Sequence, residues 1–123
     1  MNEEAGKLLY FNRPKRFTLE EARKVVPQVL EITRKYVLDT KPLIEQLQDP
    51  DLEVEERERL SKELQEKIES WAAEIGRFGA LAKGLWLVDF DSGAGYYCWR
   101  YNEETLSFFH SYDEGFTGRT PIQ

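Results

Sequence analysis

The chain has 123 residues, enough for one domain with a single hydrophobic core and too few for two domains of ordinary size. Its 17 basic and 23 acidic residues give a formal net charge of −6, which argues against binding nucleic acid or acidic membranes through a basic surface. The single cysteine, Cys98, excludes an internal disulfide and a cysteine-cluster zinc site, and it fits a reducing compartment.

Residues 1–16 show no regular hydrophobic period and are predicted to form an N-terminal arm, or a short edge strand at LLYF, ahead of a single domain over 17–123. The chain starts with acidic residues where a signal peptide has basic ones, and no apolar run is long enough to cross a membrane. We therefore expect a cytoplasmic protein with neither a nucleic-acid nor a membrane partner.

A long helix is predicted over about residues 18–47. Thr18 and Glu21 have the spacing of a capping box, in which each side chain bonds the backbone amide of the other. Apolar residues then recur at spacings of three and four, which places them on one stripe of the helix: Ala22, Val25, Val26, Val29, Ile32 and Val37. Pro27 predicts a bend or local break in the preceding turn, and Pro42 predicts a second kink or an end.

A second helix is predicted over about residues 54–78, after turn chemistry at 49–51. Its apolar residues step by three and four, close to the seam of a coiled coil: Leu60, Leu64, Ile68, Trp71, Ile75 and Phe78. Because the connection is short, the two helices must run antiparallel as a helical hairpin.

From Leu85 onward the hydrophobic period becomes two, which predicts strands over about 85–90, 96–101 and 105–110. The short polar segments between them predict a three-stranded antiparallel meander. The last residues contain two glycines and Pro121 and are predicted to form a C-terminal tail, which cannot continue a central strand. The fold class is therefore α+β, with the helical hairpin packed on the meander.

Strand register decides which side chains share a face of this sheet, because a slip of one residue moves every side chain to the other face. We predict that Phe90 pairs with Tyr96 and that Tyr101 pairs with Leu106. The packing face then carries Leu85, Leu87, Trp99, Tyr101, Leu106 and Phe108. The opposite face carries Trp86, Val88, Cys98, Arg100, Ser107 and Phe109. Both faces are apolar, so a partner subunit is predicted to cover the second one, as in a homodimer.

This register also predicts a row of Asp89, Tyr97 and His110 across one end of the sheet. His110 offers an imidazole nitrogen and Asp89 a carboxylate oxygen, and Asp113 and Glu114 follow closely enough to fold back. We therefore predict a divalent metal ion held by His110, Asp89 and Glu114, with Asp113 in reserve. The alternative is a structural histidine that hydrogen-bonds to its neighbours.

Two arginines and a tyrosine are candidate ligand-binding residues. Arg100 and Arg119 are predicted either to bind an anion or to make structural contacts, and Tyr97 lies in the predicted row between Asp89 and His110. Cys98 is predicted to be a small buried hydrophobic residue. The register points His110 to the other face, which argues against catalysis by the thiol.

Three functions remain open at this point. The first is a small cytoplasmic protein that binds a metal ion or another ligand at the end of the sheet. The second is a non-catalytic module that dimerises or docks through the helical hairpin. The third is an acid/base or hydrolase-like enzyme that uses His110 as its general base, for which no paired nucleophile is present.

Several blocks of residues recur together in a known family. They are Phe17-Thr18, Glu21-Ala22, Pro27, Gly79, Lys83-Gly84-Leu85, Val88-Asp89-Phe90, Cys98-Trp99-Arg100, Phe109-His110, Glu114-Gly115-Phe116 and Gly118-Arg119. In this combination the chain resembles, over residues 17–122, the bacterial family known as domain of unknown function 2203. Asp91 departs from the family pattern, which usually has proline there. The resemblance implies no established activity, but its blocks include the residues of the predicted metal or anion site.

Overall fold

The computed structural model describes residues 15–123 as two helices and a five-stranded antiparallel sheet. The helices are α1 (Leu19–Leu47) and α2 (Val54–Gly76). The strands, in their spatial order, are β1 (Leu81–Gly84), β2 (Leu87–Asp91), β3 (Tyr96–Arg100), β4 (Phe108–His110) and β5 (Thr120–Pro121). The α+β class and the helical hairpin are confirmed. Most of the predicted arm, including LLYF, lies outside the described residues.

The first helix begins where the sequence predicts. The Thr18 hydroxyl accepts a hydrogen bond from the Glu21 amide at 3.1 Å, and the Glu21 carboxylate accepts one from the Thr18 amide at 2.9 Å, which completes the capping box. The helix continues through Pro27 and Pro42, so the break considered at Pro27 and the end considered at Pro42 do not occur, while a bend at either residue stays a prediction. Both prolines are exposed, so water can bond the carbonyl that each leaves without an amide partner.

The two helices pack against each other and against one face of the sheet. Trp71 and Ile75 of the predicted seam are buried in the core, and the Trp71 indole donates to the Thr33 hydroxyl at 2.9 Å. The central part of this seam is therefore used within the chain. Dimerisation through the hairpin stays a prediction. Within residues 15–123 no helix is both long and apolar enough to cross a membrane.

The sheet has five strands where three were predicted. The chain reverses at Leu85 and Trp86, so the predicted strand at 85–90 is replaced by the hairpin of β1 and β2. Trp86 has a φ of 63°, an uncommon conformation for a residue other than glycine. Its ring packs edge-on against that of Trp71, with 4.9 Å between the ring centroids, and this packing supports the conformation. The predicted tail supplies β5, which lies at the edge of the sheet. Pro121 has no backbone N–H to donate, and an edge strand tolerates this because it has a neighbour on one side only.

The predicted register is wrong by one residue in both hairpins. Phe90 pairs with Tyr97 instead of Tyr96, because the loop between β2 and β3 has four residues and Asp91 still belongs to the strand. Tyr96 pairs with His110, where Tyr97 was predicted. The predicted pairing of Tyr101 with Leu106 does not form, because the residues between Arg100 and Phe108 make an irregular loop that connects β3 to β4.

The two slips reverse β2 and β4 relative to β3. Trp99 faces the helices as predicted, but the residues of β2 that join it there are Val88 and Phe90. The opposite face carries Leu87, Asp89, Cys98, Arg100, Phe108 and His110. This face was predicted to be apolar and covered by a partner. It contains charged and titratable groups, and residues 111–119 of the same chain cover part of it.

Candidate metal site

Three titratable side chains meet on this second face of the sheet. Asp89 of β2 lies directly opposite Cys98 of β3, and His110 is the last residue of β4. One ligand atom from each, an oxygen, a sulfur and a nitrogen, lies within 4.8 Å of the other two. All three residues are buried, with relative exposures of 3% for Asp89 and His110 and 1% for Cys98.

The orientation of the His110 ring is fixed by a backbone carbonyl. Its Nδ1 lies 2.8 Å from the Ser111 carbonyl oxygen, which can only accept, so Nδ1 carries a proton and donates it. Its Nε2 lies 3.0 Å from Oδ2 of Asp89. Two unprotonated atoms would repel at that distance, so one proton is shared between Nε2 and Oδ2 when no ion is bound.

Burial controls the protonation of the other two groups. It raises the pKa of the Asp89 carboxyl above its ordinary value, although the nearby His110 acts in the opposite direction. Burial also raises the pKa of the Cys98 thiol to about 12, with the Asp89 carboxylate acting in the same direction. The thiol is therefore protonated and unreactive at neutral pH unless an ion displaces its proton.

The cluster borders a cavity of about 190 Å³. The cavity is lined by Lys83, Leu87, Asp89, Tyr96, Cys98, His110, Tyr112, Glu114, Gly115 and Phe116. Lys83, Tyr112 and Glu114 are exposed and mark its outer rim. The three buried titratable groups thus have access to solvent-borne molecules from one side.

The residues predicted for the site from sequence do not all lie there. Glu114 lines the cavity, and its carboxylate accepts a hydrogen bond from the Ser111 hydroxyl at 3.0 Å. Asp113 is exposed and outside the cavity lining. Tyr97 lies on the helix side of the sheet, where its ring packs against Phe109 at 5.9 Å, so the predicted row of Asp89, Tyr97 and His110 is wrong in its middle member.

The two candidate anion-binding arginines make structural contacts. The Arg119 guanidinium donates to both carboxylate oxygens of Glu103, at 3.1 and 2.8 Å. It also lies 3.9 Å from the Phe108 ring centroid and 4.2 Å from that of Phe116. Arg100 is exposed, with its guanidinium 5.6 Å from the Phe116 ring. Arg119 thereby fixes the C-terminal segment over the sheet.

Cys98 is the residue that sequence reasoning missed. The predicted register separated it from His110, and the observed register brings the two to the same face. A local signal indicates the correct alignment. The Asp91 carboxylate accepts a hydrogen bond from the Gly93 amide at 2.8 Å, so the turn starts at Asp91 while the backbone of Asp91 remains in β2. Counting the loop from Ser92 gives the observed pairing.

Fold and cluster together define the protein as an α+β domain with a buried His–Asp–Cys group on the sheet face away from the helices. A family model described as "Uncharacterized conserved protein (DUF2203)" matches residues 15–122, and the chain belongs to this family. Searches of curated proteins and of solved structures found no significant match to the chain.

Proposed function

We propose that this protein binds a divalent transition-metal ion of the zinc type through Nε2 of His110, a carboxylate oxygen of Asp89 and Sγ of Cys98. The observation that carries the proposal is the orientation of His110. A histidine that ligates a metal commonly donates its other ring nitrogen to a carbonyl or carboxylate, which turns the unprotonated nitrogen toward the ion. The bond from Nδ1 to the Ser111 carbonyl has this form.

The donor set selects a class of ion. Imidazole nitrogen and thiolate sulfur suit Zn²⁺ and its neighbours, whereas Mg²⁺ and Ca²⁺ prefer oxygen ligands throughout. Ligand atoms on one tetrahedral Zn²⁺ lie roughly 3.3–3.6 Å apart, given bonds of about 2.0–2.3 Å. The separation of 3.0 Å between the His110 and Asp89 atoms is already close to that spacing.

Charge balance supports a divalent ion in particular. Without an ion, the His110–Asp89 pair with its shared proton is neutral overall, and so is the protonated Cys98 thiol. A divalent cation that displaces both protons leaves the buried charge at zero. No net charge is moved into the low-dielectric interior, which is otherwise a large cost.

A thiol ligand also bears on where the protein works. Cys98 binds a metal only while it remains reduced, which favours the cytoplasm over an oxidising compartment. We therefore propose a cytoplasmic metal-binding protein. The alternative is a buried His–Asp pair that only stabilises the sheet. It predicts that the folded protein takes up no stoichiometric metal in the following experiment.

The test is metal binding by protein purified without a polyhistidine tag and stripped with a chelator. We expect one Zn²⁺ per chain by elemental analysis and calorimetry, and a sulfur-to-metal charge-transfer band when Co²⁺ replaces Zn²⁺. Cys98→Ser should abolish that band and weaken Zn²⁺ binding by at least about 100-fold, the upper end of the effect of losing a supporting group. Tyr97→Phe, on the opposite face, is the control. Folded protein that takes up no stoichiometric metal would exclude the proposal.

A further inference from the structure

We infer that the bound ion keeps one coordination position open toward the cavity, and that this position takes a small organic monocarboxylate whose charge is balanced by Lys83. The inference rests on the proposed metal site and names the class of molecule that the site recognises. Three observations support it: the strands that supply the three metal ligands, the charged residues around the cavity, and the size of the cavity.

The protein ligands all approach the ion from one side. The side chains of Asp89, Cys98 and His110 project from the adjacent strands β2, β3 and β4, and all three line the cavity. Glu114 is the further carboxylate in the lining, but it is exposed and its Oε1 is bonded to the Ser111 hydroxyl. Structural zinc sites are closed by a fourth protein ligand, whereas sites with three protein ligands hold water or substrate in the fourth position.

The charge of the ligand follows from the groups around it. A divalent ion with a carboxylate and a thiolate is neutral, so the ion itself does not require an anion. Lys83 is the one lysine or arginine in the cavity lining, and among residues 15–123 it forms no ion pair. Lys83 and Glu114 are both exposed at the rim, but the Glu114 carboxylate is bonded to the Ser111 hydroxyl, whereas the Lys83 ammonium lies over the Tyr96 ring of the cavity wall. One negative charge in the cavity therefore complements Lys83, and a dianion leaves an unbalanced charge.

Size and wall chemistry favour an organic molecule over an inorganic ion. A cavity of about 190 Å³ is larger than a single water molecule needs, since one water occupies roughly 30 Å³ in the liquid. Leu87, Tyr96 and Phe116 give it apolar walls. The Lys83 ammonium lies 5.0 Å from the centroid of the Tyr96 ring, which directs the charge over an aromatic face. A short alkyl chain on a carboxylate fills such a space, with its oxygen on the metal.

The experiment uses the full chain loaded with one equivalent of Co²⁺, whose visible absorption reports a change of ligand. Propionate should alter the absorption in a saturable way, and the neutral isostere propionamide should not. Lys83→Met should weaken propionate binding by about fivefold, the effect of losing one partly exposed charge interaction, with Co²⁺ binding unchanged. Lys83→Arg keeps the charge and should retain most of the affinity.

The outcomes separate the two proposals. Co²⁺ bound at one per chain with an absorption spectrum that propionate never changes would overturn the open position while leaving the metal site intact. The open position is likewise excluded if Glu114→Gln changes the Co²⁺ spectrum and only that variant binds propionate, because Glu114 then holds the fourth position. An equal response to propionamide would overturn the role of charge. Failure to bind Co²⁺ at all removes both proposals.

Discussion

The imidazole of His110 and the carboxylate of Asp89 lie 3.0 Å apart, with only 3% and 4% of their side chains exposed. An intact buried pair of this kind adds little to folding stability, because the cost of removing both groups from water offsets their attraction. It does preorganise a nitrogen and an oxygen beside the Cys98 sulfur. Its value to the protein is therefore chemical, and the substitutions that test it should separate ion binding from stability.

Asp89→Asn should separate these two properties. The asparagine amide can donate to Nε2 of His110, and the variant no longer buries an ionisable carboxyl whose pKa is raised by burial. We expect the metal-free variant to unfold within about 1 kcal/mol of the parent protein, while Zn²⁺ affinity falls by at least about 100-fold. Chemical denaturation with and without Zn²⁺ measures both. Asp91→Asn, two residues along the same face, should leave Zn²⁺ affinity unchanged.

Metal affinity should depend steeply on pH. Zn²⁺ must displace the proton shared by His110 and Asp89 and the proton of the Cys98 thiol, whose pKa is raised to about 12. Each proton competes with the ion for its ligand atom, so affinity rises as pH rises, with about two protons released per ion. Calorimetry in buffers of different ionisation enthalpy counts them. Cys98→Ser should reduce the count to about one, and affinity that does not vary with pH would contradict the shared-proton site.

The parts of the fold that local chemistry determines could be predicted from the sequence. The capping box of Thr18 and Glu21 and the spacing of apolar residues are local signals, and both helices follow them. The strand β1 was missed because its residues, Leu81–Gly84, include alanine, lysine and glycine, which favour strands weakly. Its partner is found only after the chain reverses at Trp86, a non-glycine residue with positive φ that no sequence pattern indicates.

The candidate site was predicted in part for a related reason. Asp89 and His110 were expected on one face, and they still share a face because each hairpin slipped by one residue, in opposite directions along β3. Tyr97 and Cys98 exchanged faces, since they lie on the strand between the two slips. A period of two identifies alternating faces but not their pairing, which depends on the number of residues in each turn. Recognition of Cys98 as a ligand therefore required the observed register.

Glu103→Gln should loosen the C-terminal segment. Glu103 accepts two hydrogen bonds from the Arg119 guanidinium, and the two side chains are only 19% and 12% exposed. Its loss leaves a largely buried guanidinium without its carboxylate partner, which we expect to lower the free energy of unfolding by about 2 kcal/mol. Urea denaturation measures the change. Glu104→Gln at the exposed neighbouring position is the control, and equal effects of the two variants would refute the role assigned to Arg119.

Tyr36→Phe should change how stability responds to alkaline pH. The Tyr36 hydroxyl donates to the Glu74 carboxylate, which raises the phenol pKa from 10.0 to about 12. The folded protein holds this proton more tightly than the unfolded chain, so the contribution of the bond is complete below pH 10 and declines as pH rises toward 12. We expect the parent protein to exceed the variant by about 1 kcal/mol at neutral pH. Denaturation at several pH values should show this difference shrinking, and a constant difference would contradict the assignment.

Gly95→Ala tests the strand register on which the metal site depends. Gly95 has a φ of 155°, and a Cβ there would lie 2.4 Å from Cζ of Phe109 and 2.6 Å from the carbonyl oxygen of His110. The backbone at His110 cannot move away without disturbing β4, so we expect a loss of about 2 kcal/mol in stability and weaker Zn²⁺ binding. Gly115→Ala is the matched control, because a Cβ there meets no atom within 4 Å. Thermal unfolding compares the two variants. If Gly95→Ala is as stable as Gly115→Ala, β3 and β4 do not pair as described, and His110 does not reach Asp89 and Cys98.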